Sequence, residues 1–127
     1  MKPKTLVNWR RNNKIVLRNF NEAVDMHDVI KTLFVRMLRR KHPDSKKVPI
    51  YTEFDEEKPN QDYPDIWMRD EYKTVHVFEI QQEVTKTWIE NMLNKYEDVN
   101  FYIIDLRNFS THENIIEIKQ KLEQFVI

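Results

Sequence analysis

Cysteine and glycine are both absent from this chain of 127 residues. Without cysteine there is no disulfide framework, no thiol nucleophile and no thiolate metal site. Without glycine there is no Gly-rich phosphate loop, no Walker motif and no dinucleotide fingerprint. A turn that needs positive φ must then use another residue. The eleven asparagines make Asn, together with Asp, the expected choice. Long apolar runs are missing too: none approaches the length that spans a bilayer, and the N-terminus lacks the apolar core of a signal peptide. The expectation is a cytoplasmic (intracellular) protein with no membrane partner.

What remains is globular in composition, with 40% hydrophobic and 33% charged residues. The length suits one domain over residues 1–127, a basic arm or hairpin over 1–20 leading into a core over 21–127. Net charge is zero but unevenly spread. Residues 1–49 hold thirteen Lys/Arg against four Asp/Glu, and residues 50–127 hold eight against seventeen. A basic half suits a polyanion and an acidic half collects cations, the alternative being a surface that folding simply mixes.

Along the chain, Lys2, Lys4, Arg10, Arg11, Lys14 and Arg18 stand among residues 1–20 with no acid. Two β-prone runs, Thr5–Trp9 and Lys14–Arg18, flank Asn12-Asn13, which reads as a basic hairpin. Trp9 is expected to pack on the core, with base stacking as the alternative. From Asn21 to about Lys41 the period becomes helical. Met26, Ile30, Leu33, Phe34, Met37 and Leu38 form one stripe, Asn21 caps the start, and Arg39, Arg40 and Lys41 end it. Glu22 lies one turn before Met26 on that stripe. Val48–Phe54 reads as a strand and residues 55–62 as an acidic surface loop.

The stretch from Tyr63 to Gln81 is the centre of the pattern. At strand period, Val75, Val77, Glu79 and Gln81 point one way and His76, Phe78 and Ile80 the other. Asp65 begins a shorter run, and Arg69–Lys73 is the turn between the two. An antiparallel hairpin then brings Asp65 beside Glu79, two hard oxygen donors suited to Mg²⁺. A carboxylate inside so apolar a run is costly unless something binds it. After it come a helix over Gln82–Tyr96 carrying Val84, Trp88, Met92 and Tyr96, and a strand over Phe101–Leu106. A last helix follows, opened by a Ser110–Glu113 capping box, with Ile115, Ile118, Leu122 and Phe125 as its buried face. The four histidines, His27, His42, His76 and His112, show no metal-ligand spacing. Ser45 and Ser110 lie in loops with no histidine arrangement that would make a nucleophile.

Pro64-Asp65 followed fourteen residues later by Glu79-Ile80-Gln81 resembles the motif of the PD-(D/E)xK nuclease superfamily. The element order from Asn21, helix–strand–strand–strand–helix–strand, is similar to that superfamily's core over roughly residues 21–106. The resemblance implies an α/β fold with a restriction-endonuclease-like α-β-β-β-α-β core, a small mixed sheet flanked by helices, an N-terminal basic hairpin or arm and a C-terminal helix. It implies Mg²⁺ or Mn²⁺ held by Asp65, Glu79 and the carbonyl of Ile80, and DNA phosphodiester hydrolysis. Glu22 would be the fourth member of the catalytic set, beside Asp65, Glu79 and Gln81. The family's lysine is replaced by Gln81, which has no charge and positions water only through its amide. Lys86 or Lys73 would then supply a cation. Arg10, Arg11, Lys14, Arg18 and Lys86 would hold backbone phosphates, and cutting both strands would call for a homodimer. The alternative is a nuclease-fold protein without activity that binds nucleic acid or a protein partner.

Overall fold

The computed structural model describes residues 26–53, 64–110 and 112–127. The expectations placed on the N-terminal arm, on Asn21 and Glu22 and on the acidic loop lie outside the described residues. The described elements are helix α1 (Met26–Lys41), strands β1 (Ile50–Thr52), β2 (Ile66–Arg69) and β3 (Val75–Gln81), helix α2 (Lys86–Lys95), strand β4 (Asn100–Asp105) and helix α3 (Ile115–Leu122). Short 3-10 turns follow β4 and α3. The fold is mixed α/β, with one small sheet in the order β1-β2-β3-β4. Neighbours are antiparallel up to β3, and β3 and β4 are parallel. Joining parallel strands requires a crossover, and α2 is the crossover.

The apolar stripe of α1 behaves as its spacing demands. Ile30, Phe34 and Leu38 are fully buried, with Met26, Leu33 and Met37 partly covered. Phe34 meets Phe78 edge-on at 4.9 Å, and Phe78 stacks on Tyr102 at 4.8 Å. Each ring so placed contributes about 1.5–3 kcal/mol of transfer free energy. Ile118 and Leu122 of α3 close the same core. The helix ends at Lys41 because Pro43 disfavours helical geometry at His42. The Arg39 guanidinium then donates to the carbonyls of His42 (2.9 Å) and Val48 (3.0 Å), tying the loop down.

The β2–β3 hairpin turns over Asp70–Thr74. Asp70 Oδ1 accepts the N–H of Tyr72 (2.8 Å) and of Thr74 (3.0 Å), so one side chain holds two turn donors. Burial pushes the Asp70 carboxyl up, but the His76 ring and these N–H groups outweigh it and hold it below the usual range. His76 is buried on the core face, between Asp70 Oδ2 at 2.8 Å and the Tyr102 hydroxyl at 3.1 Å. Positive φ falls on Glu53 (51°) and Lys73 (70°) among the described residues, not on Asn or Asp as composition suggested. The Asp70 clasp dictates the backbone at Lys73, and a lysine accepts the left-handed cost because its long side chain lies in solvent.

Three expected boundaries move. β1 stops at Thr52, because Glu53 leaves the extended region. α2 starts at Lys86, not Gln82, because the Thr85 hydroxyl accepts the N–H of Trp88 at 3.1 Å and defines the cap there. Gln82, Glu83 and Val84 are connection. Last, Asn114, not the Ser110 pair, caps α3, accepting the Glu117 N–H at 2.9 Å. Glu113 does reach back to the Ser110 N–H, but one turn ahead of the helix. With that start Ile115 turns outward, 60% exposed, and leaves Ile118, Leu122 and the partly covered Phe125 inside. None of the described helices is long and apolar enough to cross a membrane.

Candidate acidic centre

The β2–β3 ladder ends at the pair Ile66–Phe78, so the next residues outward are Asp65 and Glu79. Pro64 has no N–H to extend the pairing, and the side chains take over where the ladder stops. Glu79 Oε1 accepts the N–H of Asp65 at 3.0 Å. Asp65 Oδ2 in turn accepts the N–H of Ile80 at 2.7 Å. Each acid is thus bonded to the backbone at the other's strand end. The sequence-predicted pair is brought together.

Asp65 is buried, at 1% exposure, and Glu79 half-buried. Burial, and after it the charge of Asp65, pushes the Glu79 carboxyl up from 4.5 to about 8. The Asp65 N–H and the charge of Lys95 oppose the rise, while Glu53 adds to it. The Tyr96 hydroxyl, at the C-cap of α2, also donates to Glu79 Oε1 across 3.4 Å. Two carboxylates so close do not both ionise at neutral pH without a compensating cation.

Helix α1 supplies the groups that sequence reading missed. His27 Nε2 lies 3.0 Å from Asp65 Oδ1, and its Nδ1 lies 3.7 Å from Asp28 Oδ1. One turn on, the fully buried Lys31 bonds Glu53 Oε1 through Nζ at 2.9 Å. Glu53 also donates its N–H to the Asp65 carbonyl at 3.2 Å, which places it on the flank of the centre. Asp28, at 1% exposure, lies beside the His27 ring. The available signal was the four-residue spacing of His27 and Lys31, both set beside the apolar stripe. A helix stripe wide enough to include them contains polar residues that burial must satisfy.

Gln81 stands two residues beyond Glu79 on β3 and donates its amide to the Glu83 carbonyl at 3.3 Å. Lys86 opens α2 on the surface, and Lys73 sits in the turn at the far end of β3 from Glu79. Among the described residues no group of three or more His, Cys, Asp or Glu is arranged to hold a metal ion. The Asp65–Glu79 pair fits Mg²⁺ in donor chemistry, since that ion takes one or two carboxylates and keeps several waters. Comparison of the chain with protein-family models, curated proteins and solved structures finds no match. The functional reading therefore rests on the residues themselves.

Proposed function

We propose that the chain is a metal-dependent nuclease of the restriction-endonuclease-like kind, hydrolysing DNA phosphodiester bonds at the Asp65–Glu79 centre. The observation that carries this reading is the interlocked pair, one member of which has its acidity shifted to about 8 by burial and by its neighbour. A carboxyl that keeps its proton to about 8 beside a second carboxylate is one that a cation would help to ionise. The element order, one helix, three antiparallel strands, a crossover helix and a parallel fourth strand, supports the same reading.

In this proposal Asp65 and Glu79 hold Mg²⁺ or Mn²⁺, aided by the Ile80 carbonyl, with Glu22 as a third acid. The ion, when bound, would polarise the scissile phosphate and lower the pKa of an attacking water. Gln81 would orient that water by its amide. Arg10, Arg11, Lys14 and Arg18, with Lys86, would neutralise DNA phosphates, making affinity steeply salt-dependent and largely independent of sequence. Two copies related by a two-fold axis would cut both strands.

One observation favours a second reading, a nuclease-fold protein that binds nucleic acid or a protein partner without cutting. Both oxygens of Asp65 already receive protein donors, from His27 and from Ile80 N–H. Cleavage of labelled duplex, single-stranded and four-way-junction DNA with Mg²⁺ or Mn²⁺ separates the two. The nuclease reading expects metal-dependent cutting by the wild type and none by Glu79→Gln. DNA binding with no cutting of any substrate in either metal would move the conclusion to the binding protein.

A further inference from the structure

The C-terminal half of α1 and the loop after it carry five exposed cations, Arg36, Arg40, Lys41, Lys46 and Lys47, with Asp44 as the one acid between residues 36 and 47. We propose that this surface holds the phosphodiester backbone of a nucleic acid. It lies apart from the acidic pair. Thr52 pairs with Ile66, next to Asp65, whereas the loop enters β1 at Ile50, which pairs with Met68 at the other end of the ladder. Arg40 lies about 20 Å along α1 from His27, at the helical rise per residue. The inference therefore goes beyond the proposed centre and needs no metal there.

The loop is braced from both sides. Asp44 Oδ1 accepts the N–H of Lys46 at 3.0 Å and of Lys47 at 3.4 Å, and the Arg39 guanidinium ties the His42 and Val48 carbonyls to the helix. Lys46 and Lys47 are thus displayed on a fixed turn beside the end of α1. Arg36 and Arg40 share one solvent face of the helix, about 6 Å apart along its axis. Other cations are committed, Lys31 to Glu53, Arg107 to Asp105 and Lys121 to Glu113. The five here take no ion pair with any described residue. The macrodipole accounts for little of this, because a helix C-terminus carries about half a negative charge and acts within its last turn. The remaining charge is compensated by ions from solution, and a polyanion gains affinity by releasing them. Among the described residues the exposed large hydrophobics are Tyr72, Leu93, Ile115 and Ile116, none of them on α1 or the loop. A membrane surface calls for an apolar face to bury, and a protein partner for an apolar anchor. A phosphate backbone needs neither.

Fluorescence anisotropy with a short labelled DNA duplex tests this on the full chain, over a range of NaCl and in EDTA so that nothing is cut. The variants are Arg36→Gln with Arg40→Gln, and Lys46→Gln with Lys47→Gln. All four side chains are exposed, so neutral replacements leave the core intact. Each double variant should lower the slope of log K against log salt by about 2 and weaken binding by about tenfold or more near ~0.1 M salt. Lys46→Arg with Lys47→Arg keeps the charge and should keep the wild-type slope, which separates charge from loop shape. Lys95→Gln with Lys119→Gln removes as much charge from α2 and α3 and should leave the slope nearly unchanged. An equal loss in that control overturns the proposal, since net charge and not this surface would then drive binding. Unchanged slopes in both double variants overturn it as well. Tighter binding to phosphatidylserine vesicles than to the duplex would take the surface away from nucleic acid. A wild type that binds no duplex in EDTA sinks this inference alone, because cleavage in Mg²⁺ or Mn²⁺ judges the acidic pair separately.

Discussion

Glu79 and Asp65 are joined crosswise: Glu79 Oε1 takes the N–H of Asp65, and Asp65 Oδ2 takes the N–H of the residue after Glu79, at 3.0 and 2.7 Å. Both acids therefore have a structural task, closing the open end of a hairpin, as well as the chemical one proposed for them. The consequences of that double role can be measured.

Stability should fall as pH rises in the absence of divalent cations. In the unfolded chain Glu79 releases its proton near 4.5, and in the folded protein it keeps the proton up to about 8. Between those values the folded state binds more protons than the unfolded one, so the slope of stability with pH is negative. The Glu79 contribution is complete below 4.5 and lost as pH passes 8. Glu79→Gln keeps the acceptor for the Asp65 N–H and removes the charge. It should be roughly 1–3 kcal/mol more stable than wild type above pH 8 and nearly equal to it at pH 4.5, by urea denaturation.

Divalent cations should reverse that loss. At pH 8, Mg²⁺ or Mn²⁺ at a hundredfold excess over its Kd adds about 2.7 kcal/mol, a rise in Tm on the order of 10 °C. Chelation with EDTA should remove the rise, and Asp65→Asn should show none. Differential scanning calorimetry reads all three, and an unchanged wild-type Tm would exclude cation binding at the pair.

Lys31→Met should destabilise the fold, because it leaves Glu53 without the ammonium that bonds it. The loss expected is about 2–3 kcal/mol, below the range for a wholly buried pair because the Glu53 side chain keeps 21% exposure. Replacing both partners, Lys31→Met with Glu53→Gln, should recover most of it, since no buried charge is then left alone. Denaturant midpoints of the three variants check the order.

Lys73→Gly should stabilise the protein. At φ 70° a lysine carries the left-handed penalty that glycine does not. Glycine also has more freedom to lose on folding, so the net gain is about 0.5–1 kcal/mol. Lys73 lies in an exposed turn away from the acidic pair, so metal affinity should be unchanged. A calorimetric Tm and one Mn²⁺ titration suffice.

Much of this protein is local, and what is local was legible in the amino-acid order. The period of Ile30, Phe34 and Leu38 made α1, the alternation through β3 made the hairpin's long arm, and a turn between two runs was enough to bring Asp65 to Glu79. Those outcomes depend on short-range periodicity and on residues fourteen apart joined by a hairpin. Helix starts were less legible, since Thr85 and Asn114 became caps only once the chain's direction into each helix was set.

Composition and pattern alone determined that the chain would be a small α/β protein free of cysteine and glycine chemistry, with two acids converging on a strand pair. Only the tertiary structure decided what surrounds them. His27 reaches Asp65 across 38 positions and Lys31 reaches Glu53 across 22, contacts set by how α1 lies against the sheet. The shift of Glu79 to about 8 is a property of that packing as well, because desolvation exists only once helices and strands have closed over the carboxylate.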